Sequence, residues 1–222
     1  MSPEMVNRLA ESNESLKLGG ERKEMTMLFS DIRGFTKISE QYKQDPEALT
    51  DLINRLLTTL SNEILECEGT IDKYMGDCIM AFWNAPASQD NHAELAIQAG
   101  VKMRKALKEL NNELVGEGKL AMEIGIGINT GDCIVGNMGS DKRFDYTVLG
   151  DAVNLAARLE GQSGSYGVNI VLGEETAKKM PDYKLIELDL IAVKGKTEPV
   201  RIYTYLSDLH IDEAAKLKEP QN

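Results

Sequence analysis

The chain is poor in the side chains that most metal, nucleophile and membrane chemistries require. Its 222 residues include two histidines, three cysteines and one tryptophan, and aromatics make up 5% of the whole. With only His92 and His210 to draw on, a histidine-based metal centre or a Ser-His-Asp triad is poorly supported. Cys67, Cys78 and Cys133 are odd in number and lack C-x-x-C spacing, which fits reduced thiols in cores or strands better than disulfides or zinc. There is no apolar run of about 18 residues and the start, Met1-Ser2-Pro3-Glu4, does not read as a signal peptide, so a soluble, cytoplasmic chain is the default expectation. Positive charge is also scarce: 25 Lys and Arg face 36 Asp and Glu, a net charge of -11. That balance argues against a nucleic-acid or anionic-membrane partner.

What is present suffices for one good core. Apolar residues make up 42% of the chain, most simply one domain of roughly 170 to 190 residues with polar ends. Residues 1–22 read as a short helical pattern running into Gly19-Gly20 and charge, a linker entering a domain over 23–206, with 207–222 a polar tail. Glu24 to Phe29 is apolar and of strand length. From Asp45-Pro46-Glu47 apolar residues recur at helical spacing until Gly69, with Pro46 in the first turn where its missing N–H costs nothing. Thr70 to Tyr74 and Cys78 to Trp83 are β-favouring runs joined by Met75-Gly76-Asp77, a hairpin. Asp90 to Leu114 is a second long helix. Ala121 to Ile128 is a strand, followed by Ile134-Val135 past a turn at Gly131. The order β-α-β-β-α-β predicts an α+β, ferredoxin-like core sheet with helices on one face. A helix over Asp151 to Glu160 follows, and then strands near Val168 to Leu172, Leu185 to Val193 and Val200 to Tyr205.

The segment Phe29-Ser-Asp-Ile-Arg-Gly-Phe-Thr36 places Asp31 where a strand ends and a glycine-opened helix begins. There the amides of Ile32 to Thr36, Gly34, Phe35 and Thr36 among them, are expected to be free to cradle phosphate oxygens. A lone Asp before a helix is most simply a cap. The ferredoxin-like order, however, sets it beside Asp77 of the hairpin, and two carboxylates on neighbouring elements suit Mg²⁺ with a nucleoside triphosphate.

Five separated motifs carry a resemblance: Phe29 to Thr36, Lys73-Tyr-Met-Gly-Asp77, Ile128-Asn-Thr-Gly131, Thr147-Val-Leu-Gly-Asp-Ala-Val-Asn-Leu-Ala-Ala-Arg158 and Val193-Lys-Gly-Lys196. From about Met25 to Tyr205 the chain resembles the catalytic domain of class III nucleotidyl cyclases. The resemblance implies that Asp31, Asp77 and the Ile32 carbonyl hold two Mg²⁺ or Mn²⁺ ions. It also implies that Arg158 stabilises the pentacovalent transition state, that Asn154 orients the ribose, and that Lys194 binds the β- and γ-phosphates with Lys196 close by. Members that use ATP have Lys at the position of Lys73 and Asp or Thr at that of Thr147, where guanylyl cyclases have Glu and Cys. The Lys-Thr pair is similar to that of cyanobacterial and soluble-type adenylyl cyclases and implies ATP as substrate. Lys can donate to adenine N1, and a Thr hydroxyl can accept from the exocyclic amine. Asp132 stands where mammalian catalytic halves have arginine and is assigned no phosphate role.

In the family the metal-binding Asp pair comes from one protomer and the Lys, Thr, Asn and Arg from the other. Carrying both sets, the chain is expected to form a head-to-tail homodimer with shared sites. The family also implies a sensor or membrane part upstream. The rival readings are a guanylyl cyclase, disfavoured by Lys73 and Thr147; a diguanylate cyclase, whose Gly-Gly-Asp/Glu-Glu-Phe turn is here Met75-Gly76-Asp77-Cys78; and a non-catalytic nucleotide-binding regulatory module.

Overall fold

The computed structural model describes residues 19–140, 142–180, 183–192 and 198–205. The expected core order is present: β1 (Gly19–Ile32), short α1 (Phe35–Gln41), α2 (Pro46–Glu66), β2 (Thr70–Met75), β3 (Cys78–Trp83), α3 (His92–Gly116) and β4 (Ile124–Ser140). After these come β5 (Arg143–Leu149), α4 (Asp151–Gln162), β6 (Ile170–Gly173), α5 (Glu174–Lys178), β7 (Leu185–Ile191) and β8 (Val200–Tyr205). The eight strands form one sheet ordered β2-β3-β1-β4-β6-β8-β7, with β5 folded onto β4.

Local chemistry explains the long helices. Asp45 caps α2, its Oδ1 accepting from the Ala48 amide at 3.0 Å, and Pro46 follows as first helical residue. Leu52, Leu56, Leu60 and Ile64 then form one buried stripe. Helix α3 buries Ile97, Gly100, Met103, Leu107, Leu110 and Leu114 in the same way.

Strand alternation divides the sheet's residues between two cores. Leu28, Ile32, Ile79, Ala81, Trp83, Ile124, Ile126 and Ile128 lie under α2 and α3. Met25, Met27, Phe29, Met80 and Phe82 face the other way and are covered by Val153 and Ala156 of α4. Helices α2 and α3 therefore share one face, as expected, and α4 covers the opposite one.

Four features differ from the sequence reading. Gly131 makes no turn: β4 runs through it, because β1 pairs with β4 along its whole length, from Ile32 opposite Ile124 to Gly19 opposite Asn137. That ladder also draws Gly19 to Arg22, read as linker, into the sheet. Strand β5, absent from the sequence reading, begins at Arg143 and hydrogen-bonds to β4 as far as Leu149 opposite Ile134. The β4–β6 pair is parallel, so the sheet is mixed.

Two glycines give a direct test of the packing. A Cβ on Gly127 would lie 2.2 Å from the Glu160 amide nitrogen and 2.3 Å from the Ala156 carbonyl oxygen, both backbone atoms. On Gly100, within α3, a Cβ would meet only Ile128, Ile170 and Ile126 side chains, at 3.5 to 3.7 Å. Gly127→Ala is expected to destabilise by about 3 kcal/mol or more, and Gly100→Ala to stabilise by about 0.5–1 kcal/mol. Urea unfolding of the two variants checks both signs.

Candidate active site

The two carboxylates do meet. Ser30 pairs with Ile79, so the end of β1 lies beside the β2–β3 turn, which Gly76 closes at φ 69. The Ile32 amide donates to Asp31 Oδ1 at 3.0 Å and to Asp77 Oδ2 at 3.3 Å, so one N–H holds both side chains. Asp31 has its pKa pushed up to about 7. Burial is the largest cause, followed by a hydrogen bond with Asp77 and the negative charges of Asp77 and Glu160, with the Ile32 amide opposing. A half-buried carboxyl held near neutrality by a second one is a site short of positive charge. Its hard oxygen donors, the Asp31 and Asp77 carboxylates and the Ile32 carbonyl, fit Mg²⁺ or Mn²⁺.

Glu160, a third carboxylate overlooked in the sequence, stands close to this pair. Gly125 lies opposite Asp31 on β4, and a Cβ there would be 2.3 Å from Glu160 Oε1. Burial raises the Glu160 pKa first, Arg33 lowers it and Asp77 raises it. The available signal was Gly125-Ile126-Gly127, two glycines on one face of a β-favouring run, which marks the close approach of another backbone. Cys78 lies nearby, and burial, then Asp31, Glu160 and Asp77, push its thiol up to about 12.

The expected phosphate cradle is narrower than the sequence suggested. The Ile32 amide serves the two carboxylates, and that of Arg33 donates to the Glu123 carbonyl at 2.8 Å. Among the described residues no hydrogen bond takes the amides of Gly34, Phe35 and Thr36. Gly34 caps α1 at φ 68, and Phe35 packs into the core beside α2.

A second cluster forms around Asp72, a residue with no assigned role in the sequence reading. Thr147 Oγ1 donates to Asp72 Oδ2, and Lys73 Nζ lies 3.2 Å from Oδ1. Lys73 and Thr147, 74 positions apart (147 − 73), thus share one carboxylate. Asn154 is exposed and Arg158 half-buried, four residues apart on α4, while Leu155 and Leu159 are buried between helix and sheet. Asp132 makes an exposed ion pair with Arg22 at 3.1 Å. Lys194 and Lys196 lie outside the described residues.

The family model for the adenylate and guanylate cyclase catalytic domain matches residues 20–207. The chain belongs to this cyclase family. It is 37% identical over 199 residues to the adenylate cyclase of Anabaena cylindrica, covering 86% of this chain and 38% of that protein. It is 31% identical over 201 residues to adenylate cyclase 1 of Rhizobium meliloti, covering 90% and 30%. The cyclase domain thus spans well under half the length of these curated relatives. Among solved structures, the adenylyl cyclase CyaB from P. aeruginosa superposes with a TM-score of 0.79 at 43% identity, covering 87% of this chain and 100% of that one. The guanylyl cyclase Cya2 superposes with a TM-score of 0.74 at 38% identity, covering 84% and 93%. Relatives named for either base share the fold, so the choice of base has to be argued from the pocket. No helix among the described residues is long and apolar enough to cross a membrane.

The Asp31 shift ties metal affinity to pH. Because the proton on Asp31 competes with the cation, Mn²⁺ affinity should rise by up to about tenfold per pH unit below 7 and level off above it. Electron paramagnetic resonance titration from pH 5.5 to 8.5 measures this. The stability sign is opposite. A raised carboxyl pKa favours the folded state at low pH, and the contribution is lost as pH rises through about 7. Asp31→Asn should therefore melt higher than the parent at pH 8 without metal, by ~2–4 °C for each kcal/mol of repulsion removed, with a smaller gain at pH 5 and none below the ordinary carboxyl value of 3.8.

Proposed function

We propose that this domain converts ATP to 3′,5′-cyclic AMP and pyrophosphate. The observation that carries the reading is that Lys73 and Thr147, donor and acceptor matched to the adenine edge, are held at one carboxylate in a chain that also assembles the Asp31–Asp77 pair.

Asp31, Asp77 and the Ile32 carbonyl would hold two Mg²⁺ or Mn²⁺ ions, with Glu160 adding negative charge behind them. Bound there, the metal ions would supply acidification of the ribose 3′-hydroxyl and neutralisation of the triphosphate. The 3′-oxygen attacks the α-phosphorus, forming one P–O bond as the bond to the β-phosphate oxygen breaks. The hydroxyl proton leaves to solvent and pyrophosphate departs. Arg158 donates to the charge that builds on the α-phosphate oxygens, a contribution realised only in the transition state. Asn154, one helical turn before it, orients the ribose. Lys73 donates to adenine N1 and Thr147 accepts from the 6-amino group; guanine presents an N–H and a carbonyl at those places and is mismatched. The amides of Gly34, Phe35 and Thr36 serve the phosphates, with Lys194 or Lys196 as the cation on the β- and γ-phosphates.

We further propose a head-to-tail homodimer with two shared sites, the Asp pair coming from one protomer and Lys73, Thr147, Asn154 and Arg158 from its partner. Supporting this, Tyr74, Met75, Ile134 and Leu149 are exposed apolar side chains on β2, β4 and β5, the last two directly opposite each other. We take the catalytic unit to be the expected domain over 23–206, within the family match to 20–207, cytoplasmic or on the cytoplasmic face of a membrane if a membrane part precedes it.

Purified protein given ATP or GTP, in Mg²⁺ and in Mn²⁺, should yield cyclic AMP from ATP and little product from GTP by mass spectrometry. Equal product from both would favour the unselective or guanylyl reading. Asp31→Asn and Arg158→Ala should each lose ~100-fold or more in kcat. Mixed in equal amounts and allowed to exchange subunits, they should recover about a quarter of parental activity, since half the dimers carry one intact site of two. No recovery at any ratio would refute shared sites.

A further inference from the structure

We infer that Asp72 sets the substrate preference of this cyclase by fixing which way the Thr147 hydroxyl points. The inference rests on the proposed ATP reading and deepens it.

The geometry is specific to this position. Along a regular strand, neighbouring side chains face opposite sides, so Asp72 and Lys73 would diverge. Strand β2 breaks that alternation: Ile71 pairs with Ala81 and Lys73 with Met80, leaving Asp72 as the extra residue of a bulge. A bulge re-aims side chains, and here Asp72 reaches Thr147 on β5 while Lys73 Nζ comes to its other carboxylate oxygen. The Asp72 side chain has 0% of its surface exposed, whereas Lys73 retains 42%. The carboxylate is thus an inner support and the ammonium the outer group that meets a ligand. The Lys73 contact is an ion pair rather than an aligned hydrogen bond, because Oδ1 has no hydrogen-bond donor of its own.

The consequence lies in one proton. A threonine hydroxyl has a single hydrogen and two lone pairs, so it can present either polarity to a base. Asp72 Oδ2 can only accept, and the Thr147 proton is committed to it. Thr147 then shows lone pairs alone to the ligand. An acceptor at that point pairs with the 6-amino group of adenine and repels the 6-carbonyl of guanine. Asp72 touches no substrate and is a positioning residue acting through Thr147 and Lys73.

Asp72→Asn inverts this logic with little change of shape. Lys73 can only donate, so it draws the amide oxygen, and the amide NH₂ turns to Thr147. The hydroxyl must now accept from it, and its hydrogen is released toward the base, where it suits a carbonyl. Asp72→Asn should therefore lower the ATP-over-GTP ratio of kcat/KM by about tenfold or more, through the KM values, with the melting temperature within a few degrees of the parent. Binding of 2′(3′)-O-methylanthraniloyl ATP and GTP, which cannot cyclise, should show the same loss of preference. Thr147→Val should lose preference similarly, Thr147→Ser should retain it, and adding Asp72→Asn to Thr147→Val should change the ratio much less than the product of the single effects.

An unchanged ratio in folded Asp72→Asn, or an equal loss for both nucleotides, overturns the inference. If Asp72→Asn does not fold, undiminished preference in Thr147→Val overturns it. A parent that binds the ATP analogue preferentially but forms no cyclic product refutes the proposed activity, and the binding ratios then decide the inference separately.

Discussion

The close seating of α4 on β4 is the constraint on which the rest depends. Helix and strand can approach only because Gly125 and Gly127 offer no Cβ: the backbone of Ala156 and Glu160 fills the space over Gly127, and the Glu160 and Ser163 side chains fill it over Gly125. Asp31 and Phe29 stand opposite these glycines on β1. The contact that packs the helix therefore also brings Glu160 to the carboxylate pair and aims Asn154 and Arg158 away from the core. Stability and chemistry share one interface. Asp31 and Glu160, crowded there beside Asp77, are both held above the ordinary carboxyl range by burial first, a perturbation typical of functional sites.

The two faces of the sheet have different tasks. The α2–α3 face is a continuous aliphatic core closed by Trp83, whose Nε1 donates to the Cys67 carbonyl at 2.7 Å. Around Thr26 it encloses a hydrogen-bonded polar cluster: Thr26 meets His92 Nδ1 at 2.7 Å and Thr130 at 2.8 Å, and Thr130 meets Thr176 at 3.0 Å. That face accounts for one of the two histidines, with burial, then Lys179, lowering the pKa of His92. The α4 face is thinner and carries Asp31, Lys73 and the helix that bears Arg158.

The sequence made the periodic elements and the carboxylate pair legible. Helical spacing located α2 and α3, the Gly76-Asp77 turn located the hairpin, and the β-α-β-β-α-β order placed Asp31 beside Asp77. It misled where a rule of local pattern is overridden by pairing. Gly131 reads as a turn, yet a ladder partner on β1 holds it extended. Arg143 to Leu149 alternates weakly, with exposed Arg143, Asp145 and Leu149, because β5 lies on β4 rather than in the main path of the sheet. Asp72 was invisible because period-two alternation turns it away from Lys73, and a bulge cannot be read from a single strand. Glu160 was hidden for a related reason: its partner is a pair of absent side chains at Gly125 and Gly127.

The β1–β4 ladder also fixes an order in time. Ile32 and its partner Ile124 are separated by 92 positions (124 − 32), and Gly19 and Asn137 by still more. As the chain emerges from the ribosome, β1 is made first and must wait while both long helices and the hairpin are synthesised. Met25, Met27, Leu28 and Phe29, which end up fully or almost fully buried, spend that interval without their central partner. Strand β3 arrives earlier and pairs with the same stretch, from Thr26 opposite Trp83 to Ser30 opposite Ile79. The hairpin that delivers Asp77 to the site thus offers β1 a ladder partner before β4 has been made.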